Sequence, residues 1–162
     1  MANFSPKDNG KAFRTALSRF STGVTIVTAN TPAGPIGITA NSFSSLSLLP
    51  PLIMWAPAKC STRYDAFINA SHFAVHVLTF AQKNICHAFA SNKDSFQEFP
   101  HYMNDENVPI LENCLATFEC KTHNIHDAGD HSIVIGQVYL AHQQEGEALI
   151  FSQGQFIKAK ST

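Results

Sequence analysis

Short β-branched and apolar runs recur along this chain at turn-length intervals, at residues 24–29, 36–40, 52–56, 73–78, 117–122, 132–141 and 148–151. Runs of that length bounded by Gly, Pro, Asn and Asp read as strands, and their side chains must share one core. Asn30-Thr31-Pro32-Ala33-Gly34-Pro35 predicts a hairpin between the first two, and Glu145-Gly146 turns the chain into the last. Helical patterns only interrupt the strands. Ser5 suits an N-cap with Pro6 at the first helical position and Asp8 three residues on, and Phe13, Ala16, Leu17 and Phe20 follow at helical spacing, predicting a helix that ends near residues 21–23. Ser61 or Thr62 caps a second helix through Ala70, and Ile85, Ala88 and Phe89 mark a third. Six or seven strands with inserted helices make a mainly β chain and favour a closed antiparallel barrel over a doubly wound sheet. No G-x-G-x-x-G is present, so a nicotinamide cofactor is not expected on a Rossmann unit. Residues 91–113 read as a long surface excursion, a kind of loop that often carries function.

The 162 residues, 44% hydrophobic with 13 Phe, suffice for one domain with a sizeable core, taken as residues 1–162. A net charge of −1 supplies no basic field for nucleic acid or an anionic membrane surface. Charged residues are 14% of the chain, leaving uncharged surface that a subunit partner can cover. The N-terminus has no basic and apolar leader pattern, and no window approaches the ~20 apolar residues of a membrane span, so the expectation is a cytoplasmic protein. Cys60, Cys86, Cys114 and Cys120 have no C-x-x-C spacing and read as free, largely buried thiols. Cys120, His123, His126 and His131 match no common zinc pattern, and no metal site is expected.

Residues 37–51, Gly-Ile-Thr-Ala-Asn-Ser-Phe-Ser-Ser-Leu-Ser-Leu-Leu-Pro-Pro, carry no charge and more hydroxyl and amide groups than a core tolerates unpaired. They pair with backbone, as on the outward face of a strand and turn, or they hold a polar ligand. Residues 13–28 precede this block, and residues 128–138, Ala-Gly-Asp-His-Ser-Ile-Val-Ile-Gly-Gln-Val, follow it.

In order and spacing these three blocks resemble the short-chain flavin reductases, over roughly residues 10–158. The resemblance implies an antiparallel six-stranded FMN-binding split β-barrel, a homodimer with flavin near the subunit interface, and an NAD(P)H:flavin oxidoreductase. Such an enzyme passes hydride from NADH or NADPH to FMN or FAD, commonly to supply a partner flavin-dependent monooxygenase. It also implies that Thr39, Ala40, Asn41, Ser42 and Phe43 lie along the flavin ring and ribityl chain. Lys59, Ser61 and Thr62 suit the phosphate tail, since a cation and hydroxyls at a predicted helix start attract an anion; an ordinary helix cap explains Ser61 and Thr62 equally well. Phe89 and Ser91, with Lys93 to Phe96, are implied as weaker flavin contacts, and Phe89 also reads as core.

Gly129, Asp130 and His131 are the candidates for nicotinamide chemistry. Hydride transfer needs two rings held face to face and water kept out, so a His at a loop-to-strand junction serves as the orienting catalytic residue. Asp130 then fixes the loop or the His tautomer. The plain alternative is a glycine turn beside a surface His. Two residues depart from the family pattern: His76, where Asn is usual, and Trp55, bulky beside the proposed tail site. Both bear on pocket width and so on FMN versus FAD. Two other readings differ in class: an FMN-binding electron-carrier module without its own NAD(P)H activity, and a non-flavin split barrel holding haem or a pyridoxal-type cofactor. The Gly-Asp-His block favours the reductase over the carrier, and the Thr-Ala-Asn-Ser-Phe block disfavours the third.

Overall fold

In the computed structural model, which describes residues 3–91 and 96–159, the expected hairpin forms as β2 (Thr25–Thr31) and β3 (Gly34–Ala40), paired from Thr25↔Ala40 to Thr31↔Gly34. β4 (Ser44–Leu48) and β5 (Pro51–Trp55) make a second hairpin, and β6 (His72–Val77) pairs with β2 on one side. β9 (Ala116–Ala128) and β10 (His131–Gln143) are each 13 residues long and form the longest hairpin. Together these strands make one antiparallel seven-stranded sheet in the order β3-β2-β6-β9-β10-β5-β4. β1 (Thr22–Gly23), β11 (Leu149–Ser152) and β12 (Gln155–Lys158) form a three-stranded sheet.

The mainly β, antiparallel expectation is met, but the closed barrel is not. Among the described residues β3 and β4 are sheet edges and do not pair with each other. The residues between them are tied instead by one side chain: Ser42 Oγ accepts from Ala56 N at 2.9 Å and donates to Ala56 O at 3.3 Å.

The first helix is shorter than expected. α1 spans Gly10–Leu17, because Asn9 Oδ1 accepts from Ala12 N at 2.9 Å and so caps it, while Asp8 N and Asn9 N both donate to Ser5 O in a preceding turn. Its apolar stripe is left uncovered among the described residues: α1 has no buried residue, and Leu17 and, just beyond the helix, Phe20 are 58% and 79% exposed. α2 is only Tyr64–Ile68, and neither Ser61 nor Thr62 caps it. α3 (Lys83–Ala90) packs on β3 and buries Ile85, Cys86 and Phe89.

Residues 96–113 correct another expectation, since they are anchored rather than a surface excursion. β7 (His101–Met103) and β8 (Pro109–Leu111) form a hairpin, and Phe96, Val108, Ile110 and Leu111 are buried. Thr28 Oγ1 donates to Pro109 O at 2.6 Å, and Leu111 N donates to His76 Nε2 at 3.1 Å. His76 therefore belongs to the core, as does Trp55, 1% exposed and edge-on to Phe67 at 5.1 Å between ring centroids.

Close packing at the centre of the sheet makes a testable point of Gly136. A Cβ there would lie 2.5 Å from Phe73 Cζ and 3.0 Å from Cys120 Cβ, both in the core. Gly136→Ala is expected to destabilise the protein by about 1–3 kcal/mol through overpacking. Urea unfolding measures it, and an unchanged midpoint would mean that the Phe73 ring moves aside freely.

Candidate functional site

Residues 56–63, between β5 and α2, are the place where separated parts of the chain meet. Ala56 is bonded to Ser42, as above. Pro57 O accepts from Ser132 N at 3.2 Å, Ala58 bridges His131, and Lys59 N donates to Asp130 O at 2.9 Å. Arg63 Nη1 donates to Gly37 O at 2.6 Å and to Phe89 O at 3.1 Å. Three of the blocks singled out in the sequence, residues 37–43, 89–91 and 129–131, thus contact one short segment, which itself contains the fourth, residues 59–62.

Gly129 turns β9 into β10 with φ of +67°, which glycine adopts without the strain a side chain brings. The turn is held from the side: Lys59 Nζ donates to Gly129 O at 2.7 Å and pairs with the Asp127 carboxylate. The hydrogen bond to Asp127 is the main reason that the Lys59 ammonium titrates above its ordinary range. Asp130 Oδ1 accepts from His131 Nδ1–H at 2.7 Å, and this bond, then the imidazole charge, lowers the Asp130 pKa. With Nδ1 so engaged, His131 Nε2 has no partner among the described residues, and the ring is 42% exposed. Beside it Ser132 Oγ shares a 2.6 Å hydrogen bond with Tyr64 OH, tying β10 to the start of α2.

The hydroxyl block divides. Thr39 Oγ1 donates to Cys86 O at 2.7 Å, Ala40 O accepts from Thr25 Oγ1 at 2.7 Å, and Phe43 stacks on Phe118 at 5.6 Å. With Ser42 bound to Ala56, these residues are engaged within the chain, and Asn41 is the exposed member. Ser61 Oγ accepts from Arg63 N at 3.2 Å, whereas Thr62 is exposed. The Phe89 side chain is 1% exposed and packs edge-on to Phe96, so it is core, and its block reaches the segment through the Phe89 carbonyl. Ser91 is exposed at the end of α3, its Oγ donating to Ala88 O at 2.8 Å. Lys93, Asp94 and Ser95 lie outside the described residues.

Of the possible zinc ligands, Cys120 is buried in the core while His123 and His126 are exposed. No group of three or more His, Cys, Asp or Glu among the described residues is arranged to hold a metal.

A family model described as a flavin reductase like domain matches residues 17–160. The chain belongs to this flavin reductase family. Among relatives, the NADH-dependent FMN reductase SmoA of Agrobacterium fabrum is 50% identical over 149 residues, covering 92% of this chain and 86% of SmoA. The flavin-dependent monooxygenase reductase subunit HsaB of Rhodococcus jostii is 36% identical over 148 residues, 90% of this chain and 76% of HsaB. Among solved structures, the Streptomyces globisporus NADH:FAD oxidoreductase SgcE6, in complex with NAD and FAD fragments, superimposes with a TM-score of 0.92 at 32% identity, covering 99% of this chain and 98% of that one.

Two residues that join these blocks had no signal of their own in the sequence. Asp127 holds Lys59 across 68 residues, and Arg63 joins β3 to α3. Only the adjacency of Arg63 to Ser61-Thr62 pointed toward it.

Proposed function

We propose that this flavin reductase family member is a single-domain NADH-dependent oxidoreductase that reduces FMN or FAD and supplies the reduced flavin to a partner flavin-dependent monooxygenase. The observation that carries the reading is the convergence of three polar blocks on residues 56–63, which hold the fourth, in a chain half identical to an NADH-dependent FMN reductase. The donor set suits a flavin nucleotide: an exposed amide at Asn41, exposed hydroxyl-bearing residues at Thr62 and Ser91, and at Arg63 a guanidinium with no carboxylate partner among the described residues. Bound there, the flavin supplies the two-electron acceptor for hydride from a reduced nicotinamide.

The residues of the chain bind and orient. Thr39 to Phe43 shape the wall along the ring, with Asn41 facing outward. Thr62, Ser61 and Ser91 border the phosphate tail. Lys59 and Asp127 clamp the Gly129-Asp130 turn, and Asp130 holds His131 with Nε2 free to accept from a carboxamide N–H. The same reading curls the sheet into a split barrel and pairs two copies as a homodimer. The uncovered apolar face of α1, with Phe13, Leu17 and Phe20, supports a second subunit.

The test is anaerobic stopped-flow mixing with NADH or NADPH, followed by loss of the visible flavin band. Flavin binding with no bleaching by either donor would leave an electron carrier in its place. A sharper check concerns Thr62. Thr62→Ala is expected to weaken FMN binding by about 1–3 kcal/mol, the worth of a charge-assisted hydrogen bond, and to leave riboflavin, which lacks the phosphate, nearly unaffected. Equal losses for the two flavins in fluorescence titration would reduce Thr62 to a turn residue.

A further inference from the structure

Glu119 in β9 is a carboxylate whose side chain is only 3% exposed, and among the described residues no Lys or Arg pairs with it. One of its oxygens is provided for: Asn104 Nδ2, at the turn between β7 and β8, donates to Oε2 at 2.6 Å. Oε1 accepts no hydrogen bond from a described residue. Its ion-pair neighbour is His142 Nε2 at 3.7 Å, a counter-ion only when the imidazole is protonated. A buried carboxylate with half of its acceptor capacity unused costs stability unless a donor reaches it. Among the described residues, unpaired side-chain atoms sealed from solvent occur at Thr22, Asn30, Trp55 and Arg63 but not at Glu119, so Oε1 is open to the outside. What it opens into is a groove of about 520 Å³ that Glu119 lines together with Tyr102, Met103, Tyr139 and His142.

The aromatic wall of the groove is set by an irregularity in the sheet. Alternation along β10 would send Tyr139 and Leu140 to opposite faces, yet both line the groove. The pairing with β9 steps from Val138↔Cys120 to Leu140↔Glu119, so Tyr139 is an extra residue, a β-bulge that re-aims its ring. Asn104 holds that ring too, donating to Tyr139 OH at 3.2 Å, and is itself fixed by Glu106 N and Val108 N, which donate to its Oδ1 at 3.1 and 2.8 Å. Burial, then the Glu119 charge, raises the Tyr139 phenol to about 12 and the Tyr102 phenol above its ordinary range, so both remain neutral rings. Asp105 and Glu106 add negative charge, and no Lys or Arg lines the groove. Among the described residues no three ligands are arranged for a metal ion, so the cation that fits is organic. A free carboxylate oxygen, phenol faces and the Met103 thioether suit a cation that carries N–H and a short apolar body. The volume is that of a small-molecule site. From Glu119 to Ala128 β9 runs about 30 Å at roughly 3.4 Å per residue, so the groove is remote from the Gly129-Asp130-His131 turn.

We infer that this groove is a second ligand site, which takes a free small organic cation of the primary alkylammonium or alkylguanidinium class, with Glu119 Oε1 as its anchor and the Tyr139 ring as its wall. The inference goes beyond the flavin reductase reading and does not rest on it.

The experiment titrates n-butylammonium, n-butyltrimethylammonium, butyrate and Nα-acetyl-lysine methylamide into the full chain and follows backbone amide NMR shifts, in wild type, Glu119→Gln and Tyr139→Leu. In wild type n-butylammonium is expected to shift residues 102–106 and 139–142. It should bind more tightly than n-butyltrimethylammonium, which has the charge but no N–H for Oε1, and butyrate should not bind. Glu119→Gln keeps the shape but not the charge and is expected to weaken n-butylammonium binding about 10- to 100-fold, the worth of a charge-assisted hydrogen bond. Tyr139→Leu is expected to weaken it about 2- to 5-fold, the worth of a cation–π contact at an exposed site. Because Tyr139 is at the surface, this arm decides even where Glu119→Gln does not fold: loss of affinity supports the inference, and an unchanged affinity overturns it. An unchanged affinity in folded Glu119→Gln overturns it as well, as do equal binding of the two ammonium ions, shifts confined to other residues, or no binding in wild type. Tighter binding of the blocked lysine than of n-butylammonium would make the groove a docking point for a protein side chain and overturns the inference of a free ligand. No flavin or nicotinamide enters the titration, so its failure leaves the flavin reductase reading as it stands.

Discussion

Replacing His131 with Ala is expected to leave flavin affinity nearly intact and to slow flavin reduction by NADH about 10- to 1000-fold, the range for lost positioning or one electrostatic contact. The ring is held from one side only. Asp130 accepts from Nδ1–H at 2.7 Å, so in the neutral ring Nε2 keeps its lone pair, with no partner among the described residues. The Asp130 carboxylate is in turn carried by a turn that Lys59 fixes through its backbone and its ammonium. In the proposed role such a group orients a nicotinamide and does not itself take the hydride. Reduction by dithionite, which needs no nicotinamide site, should be untouched in the variant. Stopped-flow bleaching under anaerobic conditions reads both. An unchanged NADH rate would remove His131 from the mechanism and leave the reductase reading standing.

Acid is expected to destabilise the protein through a different histidine. His76 is fully buried in β6, donates from Nδ1 to Ile26 O at 3.1 Å and accepts from Leu111 N at Nε2 at 3.1 Å. It must be neutral to do both, and burial pushes its pKa down to about 4 from 6.5. Between those values the unfolded chain takes up a proton that the folded chain refuses, so stability rises with pH across that window. The contribution is fully present above pH 6.5 and is lost as pH falls to about 4, amounting to roughly 3 kcal/mol at ~1.4 kcal/mol per pH unit. Urea midpoints measured from pH 7 to 4.5 should therefore fall more steeply in wild type than in His76→Asn, which cannot titrate there. Replacing His76 with Leu strands two buried backbone groups and should cost about 2–5 kcal/mol at neutral pH. Because Leu111 belongs to β8, the β7–β8 hairpin should lose amide-exchange protection first. Parallel pH curves for wild type and His76→Asn would mean that water reaches the site and hydrates the protonated ring.

The strands were legible because each is a short run whose side chains favour a pleated, half-buried surface and whose ends are punctuated by Gly, Pro or Asn. β2, β3, β5, β6, β9, β10 and β11 all formed where such runs predicted, although β9 and β10 extend as a hairpin well beyond their apolar cores. Helix α1 began later than its Ser5-Pro6 signal because two local caps competed, and the Asn9 side chain won. β4 was hidden in the serine-rich run, where hydroxyls that looked made for a ligand are partly the outward face of an edge strand.

The site divides on the same principle. That Asp130 would touch His131 follows from adjacency, and that residues 39–43, 59–62 and 129–131 are polar blocks was readable from residue type and order. What each residue is free to do was not. Whether Lys59 has a carboxylate to itself, whether Phe89 lies in the core, and which carbonyls Arg63 bonds depend on strand register and helix placement across dozens of residues. Local sequence determines propensity within a few residues, and it determined the fold class and the polar blocks of this protein. The pairing of Arg63 with Gly37 and Phe89, and of Lys59 with Asp127, was decided only when the sheet brought those groups within hydrogen-bonding distance, because each bond was chosen among competing partners by geometry and desolvation that no single segment contains.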